Sequence, residues 1–202
     1  LSLSAEGRKA EYTALLSEYD KYSKMGLSLD LSRGKPNSSQ LDISQGLMAV
    51  DMSRENCFSE KGFDCRNYGV LDGLPEMKKF FAEGLSVPEE NIIVGGNSSL
   101  QLMYGAISRA MVFGVVGSER PWAREEGLKW ICVTPGYDRH FSILEHFGIE
   151  LINIPTDENG PDMDMIDELI KDEKVKGIIC VPMYSNPSGI TYSDETVRRF
   201  AA

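Results

Sequence analysis

The sequence is short of several features that would assign it to a common functional class. Its 202 residues include two histidines and four cysteines, and 21 basic residues stand against 31 acidic ones. The net charge of −10 argues against a nucleic-acid partner, which would favour a basic face. No apolar run approaches the roughly 18 residues of a membrane helix, and the first residues resemble no signal peptide. We therefore expect a cytoplasmic protein with no nucleic-acid or membrane partner.

Motifs for metals, disulfides and nucleotides are also missing. His140 and His146 lie six residues apart, which is a poor spacing for one helix face, so no metal site is expected. The cysteines are Cys57, Cys65, Cys132 and Cys180. They form no CxxC pair, and we expect small, buried, reduced side chains. Neither GxGxxG nor GxxxxGK[ST] occurs, which disfavours dinucleotide and P-loop sites.

What the sequence does contain is an alternation of helical and strand patterns. Helices are predicted over residues 4–25, 44–52, 74–85, 98–113, 138–147, 163–171 and 193–202. Strands are predicted over residues 91–94, 130–134, 151–154 and 177–181, and a polar loop over 114–127. This order predicts an α/β fold, a three-layer αβα domain with a mainly parallel sheet, after an N-terminal helical segment. Because the last helix has barely begun at Ala202, we interpret the fold as truncated.

The first chemical motif is IIVGGNSSLQLM, in which a predicted strand ends at two glycines and a helix begins. Asn97, Ser98 and Ser99 stand at that helix start. Free backbone N–H groups and the positive end of the helix dipole bind phosphate, and hydroxyl groups add donors. Helix capping alone explains the same residues equally well.

The second motif, CVTPGYDRH, places Tyr137 after a strand and a Pro-Gly turn. In open α/β sheets, ligands bind outside the carboxyl ends of the strands. An aromatic ring at that edge can stack on a flat cofactor, although a packing role is the alternative.

The third motif, IICVPMYSNPSGITYS, follows the last predicted strand. Asn186 precedes Pro187, which disfavours helical geometry at the asparagine. A fixed asparagine amide can donate to a phenolate oxygen and keep it ionised, whereas the alternative is a plain Asn-Pro turn.

In this order, the motifs resemble class I/II (fold-type I) aminotransferases, which depend on pyridoxal 5'-phosphate (PLP). The most specific match is the NP-[ST]-G element, which implies that Asn186 bonds the phenolic oxygen of PLP and lies at the substrate. GGNSSL resembles the phosphate-binding turn, with Asn97, Ser98 and Ser99 around the phosphate. Tyr137 takes the position of the aromatic that stacks on the pyridine ring.

Two further segments extend the resemblance over residues 28–202. NYGVLDGLPEMKKFFAE resembles the element whose tyrosine, here Tyr68, reaches the phosphate of the neighbouring subunit, and this implies a homodimer. DLSRGKP resembles the segment where Gly34 passes over the substrate carboxylate. GSERPW, PGYDRHFSILEHFGIE and VPMYSNPSGITYSDETVRRFA indicate an aspartate aminotransferase-like branch related to MocR-type domains. The resemblance implies an N-terminal arm, part of the small domain, in residues 1–52 and the first part of the PLP-binding large domain in 53–202.

The resemblance places the Schiff-base lysine, the aspartate for the pyridine nitrogen and the α-carboxylate arginine beyond Ala202. No catalytic residue is therefore expected in this chain, and we expect the chain alone to be inactive. Existing lysines such as Lys78, Lys79 and Lys174 are expected to be solvated.

The residues are compatible with three functions. The leading one is transamination between an amino acid, with aspartate as the first candidate, and a 2-oxo acid such as 2-oxoglutarate. Arg33 and Arg139 are conceivable partners for the side-chain carboxylate. The others are different PLP chemistry, as in a β-lyase or decarboxylase, and a non-catalytic aminotransferase-like sensor domain.

Overall fold

The structure is a computed structural model that describes residues 3–29 and 34–202. The helices are α1 (Ala5–Lys24), α2 (Ser38–Asp42), α3 (Pro75–Leu85), α4 (Ser99–Phe113), α5 (Asp138–His146), α6 (Met163–Leu169) and α7 (Asp194–Ala201). The strands are β1 (Lys129–Thr134), β2 (Glu150–Asp157), β3 (Gly160–Pro161) and β4 (Val175–Ile179). Short 3-10 helices cover Gln45–Ala49, Arg54–Cys57, Glu89–Asn91 and Trp122–Arg124.

The chain separates into two compact units, Leu1–Asn67 and Tyr68–Ala202. This boundary reflects the contacts within this chain, and the expected division into residues 1–52 and 53–202 stays a prediction. Among the helices in the two described ranges, none has the length and apolarity needed to cross a bilayer.

The first unit is dominated by α1, whose start is fixed by a side-chain cap. The Ser4 side chain accepts a hydrogen bond from the Gly7 N–H at 3.1 Å, which satisfies one of the free amides of the first turn. Asn37 and Gln40 form a capping box at α2. No residue of α1 is buried. The described part of this unit is therefore held mainly by local hydrogen bonds.

The second unit contains a four-stranded sheet in the order β3-β2-β1-β4. β1 pairs in parallel with β2 and with β4, whereas the two-residue β3 pairs antiparallel with β2. In register, Ile131 lies opposite Ile152 on one side and Ile178 on the other. The mainly parallel sheet predicted from the sequence is thus confirmed.

Side chains of β1 alternate between two cores, one on each face of the sheet. On one face, α4 and α5 pack in a cluster of Ile107, Ala110, Trp122, Leu128, Cys132, Leu144 and Ile149. On the other face, α6 and α7 contribute to a cluster of Ile131, Ile154, Met163 and Ile166 with Phe200 at its border. Helices on both faces of the sheet give the three-layer αβα architecture that the sequence predicted.

The expected strand over residues 91–94 is absent from the described structure, which corrects the sequence prediction. The Val94 N–H donates to the Asp72 carbonyl at 2.9 Å, and Ile93 is 78% exposed. A strand needs a neighbouring strand for its backbone groups, and the described residues provide none at this place. A short β-branched run alone does not reveal whether such a partner exists.

The segment 114–127 was expected to be a polar loop, and the structure corrects this at Trp122. This side chain is 5% exposed, and its ring lies 6.1 Å from that of Trp130 in an edge arrangement. Gly177 allows this packing, because a Cβ there would lie 2.7 Å from the Trp130 ring. Trp122 has charged neighbours in the sequence, but its ring is buried because it packs against Trp130 and the core on that face of the sheet.

The expectation of buried cysteines is correct for Cys57 and Cys132 and wrong for Cys65. Cys180 is half-buried at the end of β4, whereas Cys65 is exposed. Cys65 follows a tight turn in the first unit, where the described residues form no core that would cover it.

The burial of Ile154 in β2 leads to a stability prediction. Ile154 is 0% exposed, so Ile154→Ala is expected to lower the free energy of unfolding by about 2–5 kcal/mol, because it leaves a cavity between sheet and helices. Ile170→Ala, at a side chain that is 61% exposed, serves as the control and is expected to cost less than about 1 kcal/mol. Urea denaturation measures both, and equal losses would contradict this account of the core.

Candidate active site

The site predicted from the sequence lies where β1 and β4 end. Because the two strands are parallel, their carboxyl ends meet at one edge of the sheet. Two threonines fix this edge between β1 and β2. Thr134 Oγ1 donates to the Ile154 carbonyl at 3.1 Å, and Thr156 Oγ1 donates to the Thr134 carbonyl at 3.2 Å.

Tyr137 follows β1 through a turn that requires glycine. A Cβ at Gly136 would lie 2.5 Å from the Val133 carbonyl oxygen and 2.6 Å from the Phe141 ring. The Thr134–Pro135 peptide bond is cis. Tyr137 is 37% exposed, and its ring contacts His140 edge-on at 5.0 Å. The turn thus presents a partly open aromatic ring at the sheet edge.

The segment that carries Asn186 forms a closed loop after β4. The Ser185 N–H donates to the Ile190 carbonyl at 2.9 Å, and the Tyr192 N–H donates to the Pro182 carbonyl at 2.8 Å. The Asn186–Pro187 bond is cis, and Asn186 itself is exposed at the loop tip. The loop therefore holds the asparagine backbone in place while its amide side chain stays accessible.

A shallow depression joins the Tyr137 turn to the Asn186 loop. Its lining residues are Val133, Gly136, Tyr137, His140, Phe141, Ile179, Cys180, Val181, Ser185 and Tyr192. Two of the three predicted motifs are thus brought together. Asn186 is the direct neighbour of the lining residue Ser185, which is 7% exposed.

Most residues of this depression were not selected as site residues from the sequence, and among them are His140, Tyr192 and Ser185. Burial lowers the pKa of His140, which favours a neutral imidazole beside Tyr137. A usable signal existed for His140, because it lies three residues after Tyr137 and so shares its side of the first turn of α5. For Tyr192 no sequence signal separates it from an ordinary loop tyrosine.

Tyr192 is the most unusual polar residue of the depression. It is 5% exposed, and its hydroxyl has no hydrogen-bonding partner among the described residues. Burial raises the pKa of Tyr192 to about 12, and the neighbouring Cys180 acts in the same direction. Burial likewise raises the pKa of the Cys180 thiol. The floor of the depression is therefore uncharged at neutral pH.

The predicted phosphate turn lies at the start of α4, in the helix layer that packs on β1. Ser98 is half-buried, and its Oγ accepts from the Gln101 N–H at 3.4 Å, so its own hydroxyl proton stays available to a ligand. Asn97 and Ser99 are exposed. A Cβ at Gly95 would lie 2.4 Å from the Leu102 Cδ2 atom, so a larger residue there would require the Leu102 side chain to move. The same residues can therefore cap the helix and leave its N-terminus open to a ligand.

The segment that begins with Tyr68 runs beside this turn. Asp72 accepts the hydrogen bond from Val94, and a Cβ at Gly73 would lie 2.6 Å from the Val94 side chain. Lys78 was expected to be solvated, but it forms an ion pair with Asp72 at 2.5 Å and its side chain is 17% exposed. Tyr68 is 92% exposed. The predicted site residues are therefore associated in two pairs: the Tyr68 segment with the α4 turn, and Tyr137 with the Asn186 loop.

Gly34, Arg33 and Arg139 are the other candidates from the sequence. Gly34 belongs to the first unit, where it is exposed and a Cβ would meet open space. Arg33 lies outside the described residues. Arg139 is exposed on the first turn of α5.

Comparison with known proteins gives a consistent family match. The family model described as "Aspartate amino-transferase" matches residues 3–202. An aspartate aminotransferase of Corynebacterium glutamicum is 43% identical over 206 residues, covering 100% of this chain and 48% of the relative. The crystal structure of an aspartate transaminase from the same organism has a TM-score of 0.87 at 42% identity and covers 99% of this chain and 47% of that one.

A more distant structure supports the fold alone. An alpha-aminoadipate aminotransferase of Thermus thermophilus has a TM-score of 0.53 at 21% identity, with 67% of this chain and 31% of that chain covered. The chain spans about half the length of the curated relatives it matches. These matches confirm the resemblance indicated by the sequence motifs.

The buried Tyr192 phenol predicts a specific loss of stability in alkali. The phenol ionises near 10.0 in the unfolded chain and near 12 in the folded one, so the unfolded chain binds fewer protons between these values. The free energy of unfolding should therefore fall as pH rises from 10 to 12, by roughly 3 kcal/mol in total. Tyr192→Phe should remove this component, as measured by urea denaturation at pH 9 to 12.

Tyr184→Phe is the matched control for this measurement, because Tyr184 lies in the same loop and is 77% exposed. Between pH 10 and 12, this variant should lose as much free energy of unfolding as the wild type does. The interpretation would be wrong if Tyr192→Phe and the wild type lost stability in parallel.

Proposed function

Because the chain belongs to the aspartate amino-transferase family, we propose that the protein is a PLP-dependent aminotransferase. It moves an amino group from an amino acid, with aspartate as the leading candidate, to a 2-oxo acid, with 2-oxoglutarate as the leading acceptor. The relatives it matches are about twice as long, so the activity is proposed for the whole protein. The observation that carries the proposal is the depression shared by the Tyr137 turn and the Asn186 loop at one sheet edge.

The residues at this edge fit the cofactor PLP. Its flat pyridine ring matches a partly open aromatic ring, and Tyr137 is 37% exposed above a glycine turn that no larger residue can form. The depression beside it has an uncharged floor, which contains the buried and unpartnered Tyr192 hydroxyl. A neutral, partly apolar surface favours the stacking of an aromatic ring over hydration of that surface.

The phosphate of PLP would be held at the start of α4. Helix N-termini bind phosphate through free N–H groups and the helix dipole. Ser98 has a hydroxyl proton to donate, and Asn97 and Ser99 are exposed on either side of it. Tyr68, which emerges beside this turn, would reach the phosphate bound by a neighbouring subunit. This assignment entails a homodimer.

The Asn186 amide would donate a hydrogen bond to the phenolic oxygen of the cofactor. Its loop is closed by backbone hydrogen bonds, so the donor is positioned before the ligand arrives. A hydrogen bond to an ionised oxygen lowers the pKa of that oxygen. We also assign Gly34 to the substrate carboxylate, and we place Asn186 at the substrate as well as at the cofactor.

Bound PLP supplies the electron sink that makes the Cα proton of an amino acid removable. The residues of this chain bind and orient it: Ser98 holds the phosphate, Tyr137 the ring and Asn186 the phenolic oxygen. Proton transfer is assigned to a lysine outside these residues. We accordingly propose that the 202-residue chain binds the cofactor weakly and has no transaminase activity by itself. A cytoplasmic location stays a prediction from the sequence.

The stacking role of Tyr137 predicts a difference between two substitutions. Tyr137→Phe keeps the ring and should bind PLP with a dissociation constant within about 2-fold of the wild type. Tyr137→Ala removes the ring and should weaken binding about 10-fold, because aromatic stacking contributes roughly 0.5–1.5 kcal/mol. Fluorescence titration of the apoprotein with PLP measures both, and equal affinities for the three proteins would contradict stacking.

The reaction is tested with aspartate and 2-oxoglutarate in an assay that detects oxaloacetate. It is run on a polypeptide extended to the length of the relatives and on the 202-residue chain in parallel, and we expect turnover in the first only. Asn186→Ala should lower kcat/KM about 10- to 100-fold through loss of one oriented donor. It should also shift the pH dependence of the bound-cofactor absorbance to higher pH.

Asn91→Ala, at an exposed asparagine in a 3-10 helix, is the control and should leave both readouts unchanged. Formation of alanine or β-alanine with carbon dioxide from aspartate, without oxaloacetate, would instead identify a decarboxylase, and formation of pyruvate, ammonia and hydrogen sulfide from cysteine would identify a β-lyase. PLP binding without turnover in the extended polypeptide would favour a sensor domain.

A further inference from the structure

Within the first unit, residues 57–65 fold back on themselves as a small antiparallel turn. Phe58 and Asp64 form an isolated antiparallel bridge. The Ser59 N–H donates to the Phe63 carbonyl at 2.9 Å, and the Cys65 N–H donates to the Cys57 carbonyl at 2.8 Å. These two bonds flank the bridge and fix its register.

This register places Cys57 directly opposite Cys65. Opposed residues that share a backbone hydrogen bond in antiparallel pairing have Cα atoms about 5.5 Å apart. That separation falls within the roughly 4.4–6.8 Å found for disulfides. Cys57 ends the 3-10 helix Arg54–Cys57 and Cys65 lies in the turn after Asp64, so strand geometry does not set the direction of either side chain. The backbone hydrogen bond from Cys65 to Cys57 keeps the two residues adjacent, and a disulfide requires their side chains to rotate toward each other.

The two thiols differ in access, which suits an exchange reaction. Cys65 is exposed, and its Sγ lies 3.6 Å from the Phe63 carbonyl oxygen. Cys57 is 5% exposed, with its Sγ 3.3 Å from the Ser53 carbonyl oxygen and 3.6 Å from that of Met52. Both are free thiols held only by weak contacts to local carbonyl groups. Rotation about the Cα–Cβ bonds redirects either sulfur at little cost.

The other two cysteines are poor partners for such chemistry. Cys132 is 0% exposed within β1, and burial raises its thiol pKa to about 12. Cys180 is half-buried in the second unit, and burial raises its thiol pKa as well. Thiolates are the reactive species, so we expect Cys132 and Cys180 to stay unmodified, and they serve as internal references in the same protein.

We propose that Cys57 and Cys65 form a reversible disulfide by exchange with a low-molecular-weight disulfide such as oxidised glutathione. The Cys65 thiolate attacks one glutathione sulfur, forms a mixed disulfide and releases one glutathione thiol. The Cys57 thiolate then attacks the Cys65 sulfur and releases the second glutathione thiol. The two cysteines lose two electrons and two protons in total, and oxidised glutathione is reduced to two thiols.

The disulfide would stabilise, in a redox-dependent way, a part of the chain that has few buried side chains. Cys57 is the one buried hydrophobic residue of the described part of the first unit. A disulfide closes the nine residues of the turn and restricts the unfolded chain. Because one sulfur is exposed, reducing thiols can reopen it. This inference is independent of the proposed transaminase activity.

The sequence around the turn makes the experiment direct. Trypsin cleaves after Arg54, Lys61 and Arg66, so Cys57 and Cys65 fall in the peptides 55–61 and 62–66. The full chain is incubated with oxidised glutathione, blocked with an alkylating agent, digested without reductant and analysed by mass spectrometry. We expect the two peptides joined by a disulfide, with most molecules converted, and their separation after treatment with dithiothreitol.

Single variants distinguish the proposed order of steps. Cys57→Ser should stop at a stable glutathione adduct on Cys65, whereas Cys65→Ser should react at least 10-fold more slowly because its remaining thiol in the turn is buried. Cys180→Ser should form the cross-link like the wild type. A wild type that accumulates the Cys65 adduct without a cross-link would overturn the proposal, as would a cross-link from Cys65 to Cys180.

Discussion

The parallel pairing of β1 with β2 and β4 is the constraint on which the second unit depends. β1 lies between its two neighbours, and its side chains are buried on both faces, so one strand organises two cores. Helices α4 and α5 cover one face, and α6 and α7 contribute to the other. Parallel strands require this coverage, because their crossover connections run over the faces of the sheet.

The same pairing creates the candidate site. Strands that run in one direction bring their carboxyl ends to one edge. At this edge the chain leaves β1 through the turn at Gly136, and it leaves β4 through a loop closed by backbone hydrogen bonds. Stability and site are therefore linked: damage to the β1–β4 pairing would separate Tyr137 from the Asn186 loop. Preorganisation of this kind lowers the ordering cost of binding a ligand at such an edge.

The sequence predicted the longer helices well, and it was less accurate for short elements and where a partner is needed. Ser98 caps its helix, which the motif allowed, because capping involves only residues three positions away. The short helix α2 was not predicted, and the helix expected over residues 44–52 is a 3-10 helix over Gln45–Ala49. The strand over residues 91–94 was wrong because pairing depends on residues distant in the chain. Trp122 was placed in a polar loop because its burial depends on Trp130 and Ile107, which belong to other elements. Cys65 was expected to be buried, although the described first unit offers it no core.

By itself, the sequence determined the fold class and the order of the motifs, since periodicity and turn chemistry are local properties of the chain. The family followed from the resemblance of those motifs. Tertiary structure decided which motifs meet. It joined Tyr137 to the Asn186 loop, added His140 and Tyr192 to their depression, and set the Tyr68 segment against the turn before α4. It also placed Cys57 opposite Cys65, a relation that their spacing alone does not indicate. The reason is the same in each case: burial and opposition across strands are set by packing between segments, which residue order alone does not specify.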